Sequence, residues 1–307
     1  MSEKQQEEEQ RQPPFGADRT HFEGLGDQWA VLVGNPAALM PQIVATVLQA
    51  GGMRPSWHRT DARDEYVLMA WPEKEPARAA VLMHGQPGEQ LNPATAVPLL
   101  EGLPNDLTVD DVHVWERGME ANVAVSMIEG RNPMWFYDPL YFRDREDLTP
   151  GVTHTFLISG LAYGVRRALL DEMTITQGPH FEAYAAAWRE EHPDADPLEM
   201  PPLKVNLVGK HLIMPGRNFC EYQMRATVVS VETTHLDKEE IYILRLRFGF
   251  DDRPPLNLAL YAPRRVCVKG YEPKSGDEID AYVWLQGRIA DYVADPESGV
   301  GEEAPVQ

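Results

Sequence analysis

The most suggestive motif for catalysis is the run Val81–Gly88, VLMHGQPG, in which a His-Gly turn follows an apolar stretch. Such a turn helps to form the oxyanion hole of α/β-hydrolases, which also need a nucleophilic serine in a G-x-S-x-G turn. Neither Ser126 nor Ser159 has a glycine two positions before it. We therefore interpret the motif as a strand that ends in a polar turn, and we predict no catalytic residue.

Cofactor and metal motifs are equally incomplete. The pair Gly209-Lys210 is not followed by the Ser or Thr of a phosphate loop, and the sequence contains no G-x-G-x-x-G run. His180 and His192 are twelve positions apart, which is about 18 Å along a helix and too far for one ion. The sequence thus predicts no cofactor and no metal site.

One apolar stretch, Ile241–Phe248, alternates in a way that indicates a binding strand. Leu244 and Leu246 fall on one face, whereas Arg245 and Arg247 fall on the other, where their guanidinium groups can meet a ligand. The candidate binding residues are Arg245, Arg247, Lys210, Arg217 and Arg225. Pairing of these arginines with nearby acids is the alternative that the pattern leaves open.

The charge distribution limits the ligands of this strand. The chain carries a net charge of −20, but residues 203–292 hold 13 Lys/Arg and 12 Asp/Glu, so the rest of the chain carries −21. Such a field repels nucleic acid and anionic membranes at long range. Nucleic-acid binding is therefore an alternative for residues 203–292 alone.

The ends of the chain and its two cysteines indicate the compartment. Residues 1–25 and 293–307 are acidic and poor in apolar residues, which predicts disordered tails. The acidic start does not resemble a secretion signal, and Cys220 and Cys267 lack metal-ligand spacing. We expect a cytoplasmic protein with reduced thiols and no membrane contact.

The elements that must position these residues begin with a small α+β domain over residues 26–111. Trp29–Val33 reads as a buried strand, and Asn35-Pro36 predicts the start of a helix that ends at Gly51. Two further strands are predicted at Tyr66–Trp71 and Ala79–Met83. One helix would then pack on a small sheet.

The rest of the chain is predicted to be mainly β. Residues 112–174 form a β-rich module in which Leu161–Leu170 either continues a strand or becomes helical. Residues 175–202 form a helical connector and linker, and residues 203–292 form a second β module. The strand and turn cadence of residues 203–292 resembles an OB-type barrel, so we predict two β-barrel-like, OB-like modules.

The two β modules share a cadence that is compatible with a duplication. In each, a strand ends at a Tyr-x-Pro sequence (Tyr137 to Pro139, Tyr261 to Pro263), and a Gly turn then starts another strand. Turn residues recur by chance in many β proteins, so the spacing leaves a true repeat open.

These features favour a non-enzymatic binding or assembly protein that contacts a protein partner through its β modules. Two alternatives remain: single-stranded nucleic-acid binding by the C-terminal OB-like module, and an enzyme whose site is assembled from dispersed residues.

Overall fold

The computed structural model describes residues 24–50, 57–61, 63–127, 133–196, 199–216, 218–250 and 253–291, and the fold is mainly β. The helices are α1 Gly26–Val33, α2 Pro36–Ala50, α3 Tyr141–Asp144 and α4 Pro179–Glu191. The strands are β1 Trp57–Thr60, β2 Glu65–Trp71, β3 Ala77–Gly85, β4 Asn92–Leu100, β5 Leu103–Val114, β6 Ala121–Ser126, β7 Met134–Asp138, β8 Thr153–Arg167, β9 Glu172–Ile175, β10 Leu203–Asn206, β11 Leu212–Pro215, β12 Glu221–Leu236, β13 Glu239–Phe250, β14 Arg253–Pro263 and β15 Glu278–Ile289. The predicted tails lie outside the described residues except for Gly24 and Leu25. Arg217 also lies outside the described residues.

The N-terminal region packs α1 and α2 against an antiparallel sheet of order β1-β2-β3-β4. The predicted helix is confirmed, since α2 starts at Pro36 and the Asn35 side chain accepts the Ala38 N–H at 3.3 Å. Ile43 and Val47 bury one face of this helix, as their spacing predicts.

The prediction of a strand at Trp29–Val33 is wrong, because these residues lie in α1. Trp29, Leu32 and Val33 are spaced by three or four positions, so a helix buries all three on one side. The Arg265 guanidinium donates to the carbonyls of Ala30 and Val31 in the last turn of α1. Tertiary contacts therefore override the strand propensity of the Val-rich run.

The large sheet has the order β11-β12-β13-β14-β8-β15-β7-β6-β5, with further pairings β12–β15 and β8–β5. These pairings form two circuits that share the long antiparallel pair β8–β15. One circuit runs β5-β6-β7-β15-β8 and returns to β5; the other runs β12-β13-β14-β8-β15 and returns to β12. Both include a short parallel contact, β7–β15 or β14–β8, so the sheet is partly closed and compatible with a barrel.

The circuits are equivalent strand by strand. One circuit consists of β5, β6, β7 and β8 in chain order and is completed by β15. The other consists of β12, β13, β14 and β15 in chain order and is completed by β8. Thus β8 is the fourth strand of one circuit and the fifth of the other, and β15 has the reciprocal place. The stretch Leu161–Leu170, which the sequence left open, continues β8 as a strand to Arg167.

Two apolar cores follow from this arrangement. One lies within the large sheet and includes Phe136, Phe156 and Leu244. The other joins α1, α2 and the four-stranded sheet to the opposite face of the large sheet through residues such as Tyr137 and Tyr261. The boundary predicted near residue 111 falls inside β5, whereas the predicted connector contains α4 between the paired strands β9 and β10.

Candidate functional site

The predicted face of β13 forms as its alternation indicates. Leu244, Leu246 and Phe248 are buried, whereas Arg245 and Arg247 are exposed. The Arg245 Nε lies 2.8 Å from the Glu232 carboxylate, and this hydrogen bond raises the pKa of Arg245. Arg245 thus has an acidic partner, which is the alternative that the sequence pattern left open. Its role in binding stays a prediction.

The other candidate basic residues do not all join this face. Arg225 is buried on β12, where its Nε donates to Asp280 at 2.8 Å and its Nη1 donates to the Leu170 carbonyl. Lys210 is exposed, and the adjacent His211 Nδ1 accepts the Gly249 N–H at 3.0 Å. The structure therefore brings the Lys210 turn to the end of β13 but places Arg225 inside the protein.

The His-Gly motif pairs its histidine with an acidic and an aromatic side chain. His84 lies near the end of β3, with its Nε2 2.9 Å from Asp64 and its ring stacked on Tyr66. Burial raises the pKa of both Cys220 and Cys267, to about 11 for Cys267, which disfavours the thiolate form needed by a nucleophile. No group of three or more His, Cys, Asp or Glu side chains in the described ranges could hold a metal.

A pocket of about 430 Å³ lies at the turn between β5 and β6, beside α1, α2 and the edge of β4. We call it the tryptophan pocket; it is lined by Gly24, Leu25, Gly26, Trp29, Met40, Thr95, Ala96, Trp115, Glu116, Arg117 and Glu120. Its volume is within the range of ligand sites in proteins.

Side chains from α1 and the β5–β6 turn cover the edge of β4 and form the sides of the tryptophan pocket. The Trp29 indole donates to the Ala96 carbonyl at 3.0 Å, and Arg117 donates to the Ala94 carbonyl at 2.5 Å. These bonds satisfy two carbonyls of an edge strand that would otherwise accept from another chain. They also fix one indole ring at the pocket surface.

The β5–β6 turn positions the second tryptophan. Trp115 N donates to the Glu120 carbonyl at 2.9 Å, and Gly118 N donates to the Trp115 carbonyl at 2.8 Å. Gly118 has φ +69°, a left-handed conformation that glycine adopts at little cost. The centroids of the Trp115 and Tyr137 rings are 5.0 Å apart. Trp115 as a whole residue is 8% exposed.

A buried carboxylate contributes to the tryptophan pocket. Glu120 is 2% exposed and accepts the Tyr137 hydroxyl at 2.5 Å. Burial raises the pKa of the fully buried Tyr137 well above its usual value, and the charge of Glu120 raises it further. The hydroxyl therefore keeps its proton and remains the donor, which holds the carboxylate in place.

No protein-family model matches the chain, and no curated protein and no solved structure matches it either.

Among the described residues, no single helix has the length and hydropathy to cross a membrane; α1 and α2 meet that test only as a pair bent by 86°.

Sequence reasoning missed the tryptophan pocket. The residue pattern predicts a strand at Trp29 and gives no binding role to Trp115. The short run Trp115–Glu120, with a glycine at its fourth position, does carry the signal of a hairpin turn between two apolar stretches. Nothing in the run indicates that α1 packs beside it, because that contact depends on the tertiary fold.

Proposed function

We propose that the protein acts by binding a protein partner, and that the tryptophan pocket receives an apolar side chain of that partner beside a basic residue. The observation that carries this proposal is the pairing of two fixed indoles, Trp29 and Trp115, with the buried carboxylate of Glu120. Aromatic anchors around a small pocket with charged residues at its edge are the usual anatomy of a strong contact in protein interfaces.

The strand order supports this place for a binding site. We propose that the two circuits are OB-like modules that share β8 and β15, and that they arose by duplication. OB-type modules bind through loops that include the one between their first and second strands, and the β5–β6 turn has that place. The equivalent β12–β13 turn differs, because Leu236 is buried there and Thr234 donates to Glu75 at 2.7 Å.

The charge around the pocket supports a basic partner. Glu116 and Glu120 line the tryptophan pocket, and the cation among its described lining residues, Arg117, already donates to the Ala94 carbonyl. The chain as a whole carries a net charge of −20. This field attracts a basic segment and repels a polyanion, so the pocket favours a lysine- or arginine-containing peptide over nucleic acid.

Nucleic acid stays a second proposal for the face of β13 that presents Arg245 and Arg247. Its support is the exposure of both side chains. The Glu232 carboxylate beside Arg245 weakens it, because a phosphate would have to displace that ion pair. The tryptophan pocket is therefore the better-supported site.

Fluorescence anisotropy with labelled synthetic peptides tests the first proposal. Twelve-residue peptides that carry Trp, Phe or Leu between two lysines should bind the full chain, and matched peptides with glutamates should not. Met40→Lys places a cation in the pocket wall and should weaken binding at least about tenfold, since it removes apolar contact and repels the lysines.

Leu169→Lys is the matched control, because Leu169 is 66% exposed and lies between β8 and β9. This variant adds the same charge and should bind the peptides as the wild type does. Equal binding of the lysine and glutamate peptides, or equal losses in both variants, would show that the pocket does not select a basic segment.

A further inference from the structure

Three arginines surround one indole ring at the junction between the four-stranded sheet and the large sheet. The guanidinium carbons of Arg78 on β3, Arg143 on α3 and Arg288 on β15 lie 5.9, 5.8 and 5.9 Å from the centre of the Trp57 ring. Each distance is within the range of a cation–π contact. Like charges are therefore held close together in a protein that is otherwise strongly acidic.

Only part of this positive charge has an acidic partner. Arg143 binds the carboxylates of Asp144 and Asp291. Within the part of the chain that the structure describes, neither Arg78 nor Arg288 forms an ion pair, and the buried Nε of each has no hydrogen-bond partner. Two guanidinium groups thus have no counter-charge in contact among the residues that the structure describes.

The surroundings disfavour these two charges. Arg288 is 5% exposed, and its Nη1 donates to the Leu100 carbonyl at 3.2 Å. Burial lowers the pKa of Arg288; the charge of Asp291 opposes this shift, and the charges of Arg78 and Arg143 add to it. Burial also lowers the pKa of Arg78, against the charge of Glu101. Buried charges are normally paired, so the cluster has the electrostatics of an anion site.

Asp138 is a buried acid whose charge interacts with Arg143 and Arg288. Burial raises the pKa of the fully buried Asp138 well above its usual value, and the charge of Asp144 raises it further. Its Oδ1 accepts the Leu140 N–H at 2.8 Å, while its Oδ2 has no partner among the described residues. The raised pKa favours the neutral form of Asp138, so Asp291 and Glu101, whose charges raise the pKa of Arg288 and Arg78, offset the arginines only in part and without contacting them.

We propose that Arg78 and Arg288, beside Trp57, hold an oxyanion: a phosphate or a carboxylate group of a small ligand. Arg78 and Trp57 are only partly buried, so the cluster opens to solvent on their side. Guanidinium donors match the oxygens of either anion and form short charge-assisted bonds with them. This site shares no residue with the tryptophan pocket, so the two proposals stand or fall separately.

Thermal unfolding of the full chain in sodium phosphate, sodium acetate and sodium chloride of equal ionic strength tests the site. At a concentration ten times its Kd, the bound anion should raise Tm by about 2–3 °C over chloride. A rise in phosphate alone assigns the site to phosphate groups, and a rise in acetate alone assigns it to carboxylates. No rise in either would overturn the proposal.

Arg78→Gln keeps a polar side chain but removes one guanidinium, and should weaken anion binding at least about tenfold. Arg264→Gln is the matched control, because Arg264 is exposed and paired with Glu240 and Glu272. An unchanged Tm response in Arg78→Gln would contradict the assignment. If that variant does not fold, broadening of the phosphate ³¹P resonance by the wild type decides, and its absence refutes the phosphate site.

Discussion

Two arginines of the large sheet make a matched pair for measuring what burial does to an ion pair. Arg225 Nε lies 2.8 Å from Asp280, and Arg245 Nε lies 2.8 Å from Glu232. The Arg225 side chain is 5% exposed, whereas that of Arg245 is 45% exposed. We expect Arg225→Ala to destabilise the protein much more than Arg245→Ala.

The structure sets the size of the difference. Removing one partner of a fully buried pair costs about 3–5 kcal/mol, because the remaining charge loses its counter-ion. Asp280 is 23% exposed and has Arg166 at 3.7 Å, so we expect about 2–4 kcal/mol for Arg225→Ala. Arg245→Ala should cost at most about 1 kcal/mol, as exposed pairs do.

Urea unfolding of the full chain, followed by far-ultraviolet circular dichroism, measures both costs from the midpoints and a common slope. Equal costs would refute the reasoning, because they would mean that Arg225 is no more buried than Arg245. A small cost for Arg225→Ala together with a lost ligand would restore Arg225 as the exposed binding residue that the sequence predicted.

Three further predictions concern Asp138, the two cysteines and the close backbone approach at Gly102. The raised pKa of Asp138 means that the native state keeps a proton which the unfolded chain loses above about pH 4. The free energy of unfolding therefore falls as pH rises above about 4, by at most about 1.4 kcal/mol per pH unit. Asp138→Asn should flatten this fall in urea midpoints between pH 4 and 7, and an unchanged slope would contradict it. Cys220 and Cys267 should react with a thiol reagent only after unfolding; rapid labelling of the native chain at pH 8 would show otherwise. Gly102→Ala would place its Cβ 2.4 Å from the backbone of β8 and should lower the free energy of unfolding by roughly 3 kcal/mol. Gly164→Ala, which has open space around its Cβ, should lower it far less. Similar urea midpoints for the two variants would rule out the close approach.

Local periodicity predicted many of the elements correctly. The helix at Pro36 follows from a capping residue and an apolar face, and β13 follows from its alternation. Both signals depend on residues a few positions apart. The strand predicted at Trp29–Val33 is wrong because its partners are distant in sequence: Ala96 is 67 positions from Trp29, and Arg265 is 234 positions from Val31.

The sequence pattern does not predict which distant strands pair with each other. The β8–β15 pair joins Phe156 to Ile289, and nothing in either strand specifies the other. The same limit explains Arg225 and Arg245. Both lie on the side of their strand away from the core of the large sheet, but the chain near Leu170 covers Arg225 and leaves Arg245 exposed.

The most direct test of the proposed function is a methionine-methyl NMR titration of the full chain with the lysine-flanked tryptophan peptide. Met40 lines the tryptophan pocket, whereas Met224 is buried in the core of the large sheet, and Met40→Leu assigns the first signal. We predict that the Met40 methyl resonance moves upfield with saturation, because an added aromatic ring stacks near it, while Met224 stays fixed. An unchanged Met40 signal with bound peptide would contradict partner binding at this pocket.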